Sequence, residues 1–254
     1  MLSFLFSFLF SPALTGNLLL IAAAVVPAAF LLVKVYRSDR LEKESLPFLL
    51  RLLLLGVLSA GVALVLEMIG GFLLGLLVPE DSVLYPLITY FLIVGLSEES
   101  AKYLMLRLKT WHSPEFNCQY DGVVYATFVS LGFALIENVL YVVQNGFGTA
   151  VMRAVTAIPG HACFGVFMGV LYGLARSYFY LADMKTSKLF RVLAVAVPTL
   201  LHGAYDYIAT SGVTGSALIF LLFIAAFFAL SLFLINRMAR NDHYFTIDRR
   251  HFPL

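Results

Sequence analysis

Apolar residues in this chain come in runs long enough to cross a bilayer, and that leaves few folds open to it. A membrane-spanning helix needs roughly 20 consecutive apolar residues. Such runs recur at approximately 17–36, 52–77, 83–106, 122–144, 152–175, 191–210 and 214–236. Of the 254 residues, 61% are hydrophobic and only 13% are charged. A soluble domain carries about 25% charged residues. The runs do not alternate polar and apolar residues, as the strands of a transmembrane β-barrel would. The expected fold class is therefore all-α, a polytopic transmembrane helix bundle of about seven spans.

Lysine and arginine collect in alternate loops, and this bias sets orientation. Arg37, Arg40 and Lys43 follow the first span, Lys109 the third, and Lys185 and Lys188 the fifth, while Arg237, Arg240, Arg249 and Arg250 follow the last. The intervening loops, Val78 to Ser82, Asn145 to Thr149 and Ser211 to Gly215, hold no positive charge, and Arg153 is the one exception near that face. The pattern predicts an N-terminus outside and a C-terminus in the cytoplasm of a cell (plasma or inner) membrane. Met1 to Phe10 is apolar without a basic stretch before it, so residues 1–12 read as an interfacial or re-entrant segment, not a cleaved signal. No repeat or low-complexity linker divides the chain. It reads as one membrane-embedded domain over 1–240, with chemistry-bearing motifs over 90–210, and a basic polar tail over 241–254, flexible or lying on the surface. Net charge is +2, which gives no case for a nucleic-acid partner, and the two cysteines, Cys118 and Cys163, read as unpaired thiols.

Ionisable side chains at membrane depth cost roughly 2.5–3.5 kcal/mol each on insertion scales, so they face a bundle interior or a watery cavity. Here they are Glu67, Glu98, Glu99, Lys102, Glu137, His161, His202 and Asp206, spread over consecutive spans. Lys102 lies one turn from both Glu98 and Glu99. Adjacent glutamates diverge by about 100° around a helix, so one can face a reaction centre while the other pairs with Lys102. A purely structural ion pair is the alternative. Glu137 is followed by Asn138, and Gly132 before it permits close helix approach. His161 follows Pro159, which can kink a helix and free a carbonyl. His202 and Asp206 share a helix face, so Asp206 can orient the imidazole, or both can ligate a metal. At about 1.5 Å per residue, Glu98, Glu137, His161 and His202 fall between the midplane and the outer half, where one cavity can hold them. Glu67 belongs to no motif and stays outside the set.

Hydrolysis of a peptide bond needs an activated water and charge stabilisation of the tetrahedral intermediate. A glutamate in a low-dielectric cavity can act as the base, and histidine, asparagine or a metal can stabilise the oxyanion. Other intramembrane protease designs fit poorly. The chain has no His-Glu-x-x-His, no Gly-x-Gly-Asp (although Tyr205-Asp206 half-matches its partner motif) and no Gly-x-Ser-Gly.

Four stretches in order carry a resemblance: Glu98-Glu-Ser-Ala-Lys102, Asp121-Gly-Val-Val-Tyr through Gly132-Phe-Ala-Leu-Ile-Glu-Asn138, Arg153 through Pro159 to His161, and His202-Gly-Ala-Tyr-Asp206. Across residues 90–210 the sequence resembles the PrsW family of membrane proteases, relatives of the type II CAAX prenyl endopeptidases. The resemblance implies a multi-pass membrane endopeptidase whose site comprises Glu98, Glu99, Lys102, Glu137, Asn138, His161, His202 and Asp206. Glu98 maps to the glutamate taken to activate water. Glu137 and Asp206 stand where the CAAX enzymes carry histidine and asparagine. A divalent cation such as zinc on Glu137, His161, His202 and Asp206 is one expectation, and a metal-free glutamate mechanism is the other. The implied partners are the lipid bilayer and a single-span membrane protein substrate such as an anti-sigma factor. The residues alone also admit a proton- or ion-coupled transporter, or a non-catalytic membrane receptor derived from the protease.

Overall fold

The structure is a computed structural model, and it describes residues 25–26, 28–145, 147–212 and 215–245. The segment expected over 1–12 and the first part of the first expected span lie outside the described residues. Helix α1 covers 28–38, and α2 runs Leu46–Leu77. Helix α3 is composite: one α-turn, Leu84–Leu87, a π-helical stretch, Ile88–Gly95, and an α-helical half, Leu96–Thr110. Then come α4 (Asp121–Asn145), α5 (Phe147–Val155), α6 (Ala157–Tyr180), α7 (Met184–Thr210) and α8 (Ser216–Arg240). The expected all-α bundle is what forms, and the described residues hold no strand beyond an isolated antiparallel bridge, Cys118 to Tyr244. Both cysteines are free and buried. Among the described residues, five segments are long and apolar enough to cross a membrane: α2, α4, α5 with α6 taken through their bend, α7 and α8.

Helix α4 is the axis of the bundle. Its residues from Asp121 to Ala134 are all buried, with α6 and α2 packed along it and α7 packed on α6. Lipid provides no hydrophobic drive between helices, so small residues that let backbones approach set the contacts. A Cβ on Gly56 of α2 would lie 2.0 Å from the Val129 carbonyl oxygen, and one on Gly132 of α4 would lie 2.1 Å from that of Leu53. No other residue type fits this crossing. Two prolines interrupt the backbone hydrogen bonding of the site helices. Pro159 has no N–H for the Val155 carbonyl and crowds it, and the chain breaks there, with Thr156 at φ −120° and ψ −70° between α5 and α6. Pro198 sits inside α7, one turn before His202, and leaves the Ala194 carbonyl without its α-helical N–H donor while the helix runs on.

The basic end is tied by polar contacts between loops. Asp121 opens α4 and accepts from the backbone N–H of Asn117 at 3.0 Å and of Cys118 at 2.7 Å. Tyr125 donates to Glu44. The Tyr120 N–H donates to Asp242 at 2.9 Å, and the Phe245 N–H to the Asn117 carbonyl at 2.8 Å. The first residues of the expected tail, 241–245, are thus pinned to the bundle. Phe245 also packs edge-on to Phe116.

Two outcomes follow from this packing. Gly56→Ala should lower the melting temperature of the detergent-purified protein, because forcing a methyl into a closed crossing costs about 1–3 kcal/mol or more. Gly71→Ala on the same helix, where a Cβ meets nothing within 4 Å, should be neutral. Equal melting of the two variants would show that the crossing does not set stability. Burial in the loop before α2 pushes the Asp39 carboxyl up to about 6 and that of Glu44 up to about 7. The folded state therefore holds these protons more tightly than the unfolded chain, and their contribution to stability is lost as pH rises from about 4 to about 7. Melting scans across that window should show a slope that the Asp39→Asn, Glu44→Gln double variant flattens.

Candidate active site

The α-helical half of α3 begins where its π-helical stretch ends, so Glu98, Glu99 and Lys102 fall in its first two turns. π-Helical turns inside α-helices recur at functional sites. This one lies at the crossing with α7. A Cβ on Gly95 would meet the Thr199 carbonyl oxygen at 3.0 Å, and one on Gly203 would meet the Phe91 ring at 2.5 Å. The two glycines let α7 come close enough to put His202 against the glutamate pair.

Lys102 is fully buried. Its Nζ lies 3.1 Å from Glu98 Oε2, 2.7 Å from Glu99 Oε1 and 3.1 Å from His161 Nδ1. The ammonium also sits 4.1 Å from the centroid of the Phe133 ring. A buried ammonium is tolerable only with such partners, and its three hydrogens are all directed to acceptors. An ammonium can only donate, so His161 Nδ1 accepts. The ring proton then sits on Nε2 and is donated to Glu137 Oε2, 2.8 Å away. Glu137 is held a second time by Arg153 Nη2 at 2.9 Å. Arg153 Nε donates to Asn138 Oδ1 at 3.0 Å, and its guanidinium lies over Tyr141.

His202 turns its Nδ1 to Glu99 Oε1 at 2.9 Å and lies 3.8 Å from Glu98 Oε2. Its Nε2 is 3.5 Å from Asp206 Oδ2. The ring stacks on Phe164 at 4.6 Å and meets His161 edge-on at 5.4 Å. The histidine is thus held by a glutamate from another helix more closely than by the aspartate one turn along its own.

These groups surround one cavity of about 630 Å³. Glu98, Glu137, His161 and His202, the four residues expected to share a cavity, all line it, and Asp206 joins them. Glu98 faces this space, whereas Glu99 is fully enclosed between Lys102 and His202. The sequence left open which glutamate of the pair faces the cavity, and the structure decides for Glu98, although Lys102 holds both. Asn138 is buried and engaged with Arg153. Two charged lining residues lay outside the sequence-based set, Glu67 and Arg153. Arg153 stood at the start of a matched stretch and as a topology exception, and that exception was a signal: a lone cation on a face otherwise free of positive charge.

Donor atoms suited to a divalent cation gather at one side of the cavity. Among the described residues, the donors that converge are Glu98, Glu99 and His202, with ligand atoms within 4.8 Å of one another. Glu137, His161 and Asp206 border the same cavity from further round. Glu99 Oε2 is buried without a hydrogen-bond partner, an orphaned oxygen that a cation would satisfy. Two carboxylates and an imidazole are also suitable zinc donors and leave a fourth position open. The donor set fits.

With that geometry in hand, comparison with known proteins decides the family. The family model described as PrsW family intramembrane metalloprotease matches residues 44–233. The chain belongs to the PrsW family. It is 36% identical over 192 residues to the Protease PrsW of Bacillus subtilis, covering 76% of this chain and 83% of the relative. It is 35% identical over 189 residues to that of Geobacillus kaustophilus, covering 74% and 79%, and 33% identical over 222 residues to that of Oceanobacillus iheyensis, covering 87% and 97%. No solved structure matches significantly. As a PrsW family member the protein is a multi-pass membrane peptidase, and the cavity described above is its candidate active site.

Lys102 is the counter-ion of this PrsW site, so removing it exposes two buried carboxylates to each other. Lys102→Met should destabilise the fold by about 3–5 kcal/mol, the range for breaking a buried ion pair from one side. Adding Glu98→Gln should restore part of that loss. Thermal unfolding of the single and double variants measures both, and a Lys102→Met protein as stable as the parent would show that the ammonium does not hold the site.

Proposed function

We propose that the protein is an intramembrane endopeptidase that cuts a membrane-anchored substrate with water activated by Glu98. The observation that carries this reading is a buried carboxylate turned into a cavity, flanked by the Lys102 ammonium and the His202 imidazole. A peptide in a membrane keeps its backbone hydrogen bonds satisfied as a helix, so a scissile bond has to be unwound before water can reach it. A cavity of about 630 Å³ lined by polar groups accepts an unwound segment and its water. Glu98 takes the proton as water attacks the carbonyl carbon, and returns it to the leaving amide nitrogen as the C–N bond breaks. Lys102, Glu99 and His202 fix the Glu98 carboxylate. Glu137, His161 and Asp206 border the space where the oxyanion develops, and Arg153 orients Glu137.

Glu98, Glu99 and His202 would hold a divalent cation, zinc by donor type. When bound, it supplies positive charge that acidifies water and stabilises an oxyanion. The substrate class that fits is a single-span membrane protein such as an anti-sigma factor, cut at a first site. The cavity lies toward the end of the bundle away from the basic loops, which the lysine and arginine pattern assigns to the outer side of the cell membrane.

Cleavage by purified protein in liposomes, with a tethered single-span substrate, tests the assignment. Glu98→Gln should reduce kcat by about 10²–10⁴-fold, the usual contribution of a general base, with the melting temperature preserved. Glu67→Gln, a change at the cavity wall, should stay within a few-fold. Undiminished cleavage by Glu98→Gln and by His202→Ala would sink the assignment. Loss of activity on chelation and its return with zinc would establish the cation.

A further inference from the structure

A second concavity lies between α3 and α7, about 460 Å³ in volume, on the seam opposite the catalytic cavity. Its rim carries Arg107, Lys188 and Arg191, and the Tyr103 phenol lies one helical turn from Arg107 on the same face. Its floor is Leu96, Val192, Val195 and Ala196. Leu96 lies about 16 Å deeper along α3 than Arg107, counting about 1.5 Å per residue. The groove is therefore basic at the interfacial end and apolar toward the middle of the bundle.

Three other cations near the basic end have partners of their own. Lys43 donates to the carbonyls of Tyr36 and Asp39, Lys109 lies over Phe48, and Arg176 bonds Tyr180 within an aromatic cage. Among the described residues, no ion pair joins Arg107, Lys188 or Arg191 to a carboxylate. The Nε of Arg191 is buried with no hydrogen-bond partner, while its guanidinium rests 5.2 Å from the centre of the Trp111 ring. Three cations without a carboxylate, converging on a groove with an apolar floor, complement a molecule that has a negative head and a hydrocarbon tail. Basic pockets between helices on this side of a membrane bind anionic headgroups.

We propose that the α3–α7 groove binds an anionic phospholipid, with the headgroup phosphate on Arg107, Lys188, Arg191 and the Tyr103 hydroxyl and an acyl chain along Val192, Val195, Ala196 and Leu96. The same two helices carry Glu98, Glu99 and His202 further along, so the lipid holds together the basic halves of the elements that meet at the active site. It enters laterally from the bilayer, as the exposure of Leu96 and Val192 allows.

Trp111 is the chain's one tryptophan and lies under Arg191, so its fluorescence reports on the groove. The full chain is placed in nanodiscs of phosphatidylcholine containing either dibrominated phosphatidylglycerol or dibrominated phosphatidylcholine, brominated high on the chain. The brominated anionic lipid should quench Trp111 at a mole fraction at least about fivefold lower than the neutral one, given about 1 kcal/mol per basic residue near the surface. Arg107→Gln with Lys188→Gln, both exposed positions, should abolish that preference while leaving the melting temperature in neutral nanodiscs unchanged. Should the double variant melt lower, Arg107→Gln alone carries the comparison. Equal quenching by the two lipids would overturn the proposal, leaving the groove to a neutral chain or a protein helix. A preference that survives the substitutions would overturn it too, by putting the anionic lipid elsewhere.

Discussion

One buried ammonium organises this protein. Lys102 has no solvent, and three acceptors from two helices close around it: Glu98, Glu99 and His161. Each acceptor is committed further. Glu99 also takes the proton of His202 Nδ1, and His161 passes its own to Glu137, which Arg153 holds from α5. The chain of contacts therefore runs across α3, α6, α4, α5 and α7 from a single charge. In a low-dielectric interior such a network is costly if any member is missing, so it specifies how the helices must sit relative to one another.

The helices can meet that demand because their backbones come close where the network needs them. The Gly56–Gly132 crossing seats α2 on α4 one turn before Glu137, and the Gly95–Gly203 crossing brings α7 onto α3 beside His202. The prolines act from the other side. The chain breaks between α5 and α6 just ahead of Pro159 and His161, and Pro198 lies one turn ahead of His202 inside α7. The rings of the two histidines, from separate helices, meet edge-on at 5.4 Å. The π-helical stretch of α3 lies immediately before Glu98, so the one stretch of non-α hydrogen bonding in that helix adjoins the glutamate facing the cavity.

Much of this was legible in sequence, because membrane burial writes itself into long apolar runs and makes each ionisable residue within them conspicuous. The helices, the common cavity expected for Glu98, Glu137, His161 and His202, and the one-turn relation of Lys102 to both glutamates follow from spacing alone. Partners between helices do not. Spacing links His202 to Asp206, yet the closer bond is to Glu99, more than a hundred residues away in sequence. Nor could spacing show that Glu98 and not Glu99 turns to the cavity, since that depends on which face of α3 meets α7. Glu67 was visible in sequence but joins no motif, and Arg153 opened a matched stretch without a role; what each brings to the cavity depends on how its helix packs. The docking of Phe245 on Asn117 left no periodic trace at all.

The charge balance of the site bears on its chemistry. Five carboxyl groups, Glu67, Glu98, Glu99, Glu137 and Asp206, surround two permanent cations, Lys102 and Arg153. Lys102 is enclosed by the glutamate pair, and Arg153 is taken by Glu137. An oxyanion forming in this cavity would meet an excess of negative groups, so positive charge has to arrive from elsewhere. Imidazolium at His202 is one source, and a divalent cation at Glu98, Glu99 and His202 is the stronger one. The orphaned Oε2 of Glu99 points the same way. An acidic cavity is a poor place for an oxyanion and a good place for a cation, and a cation held there would make it a good place for both.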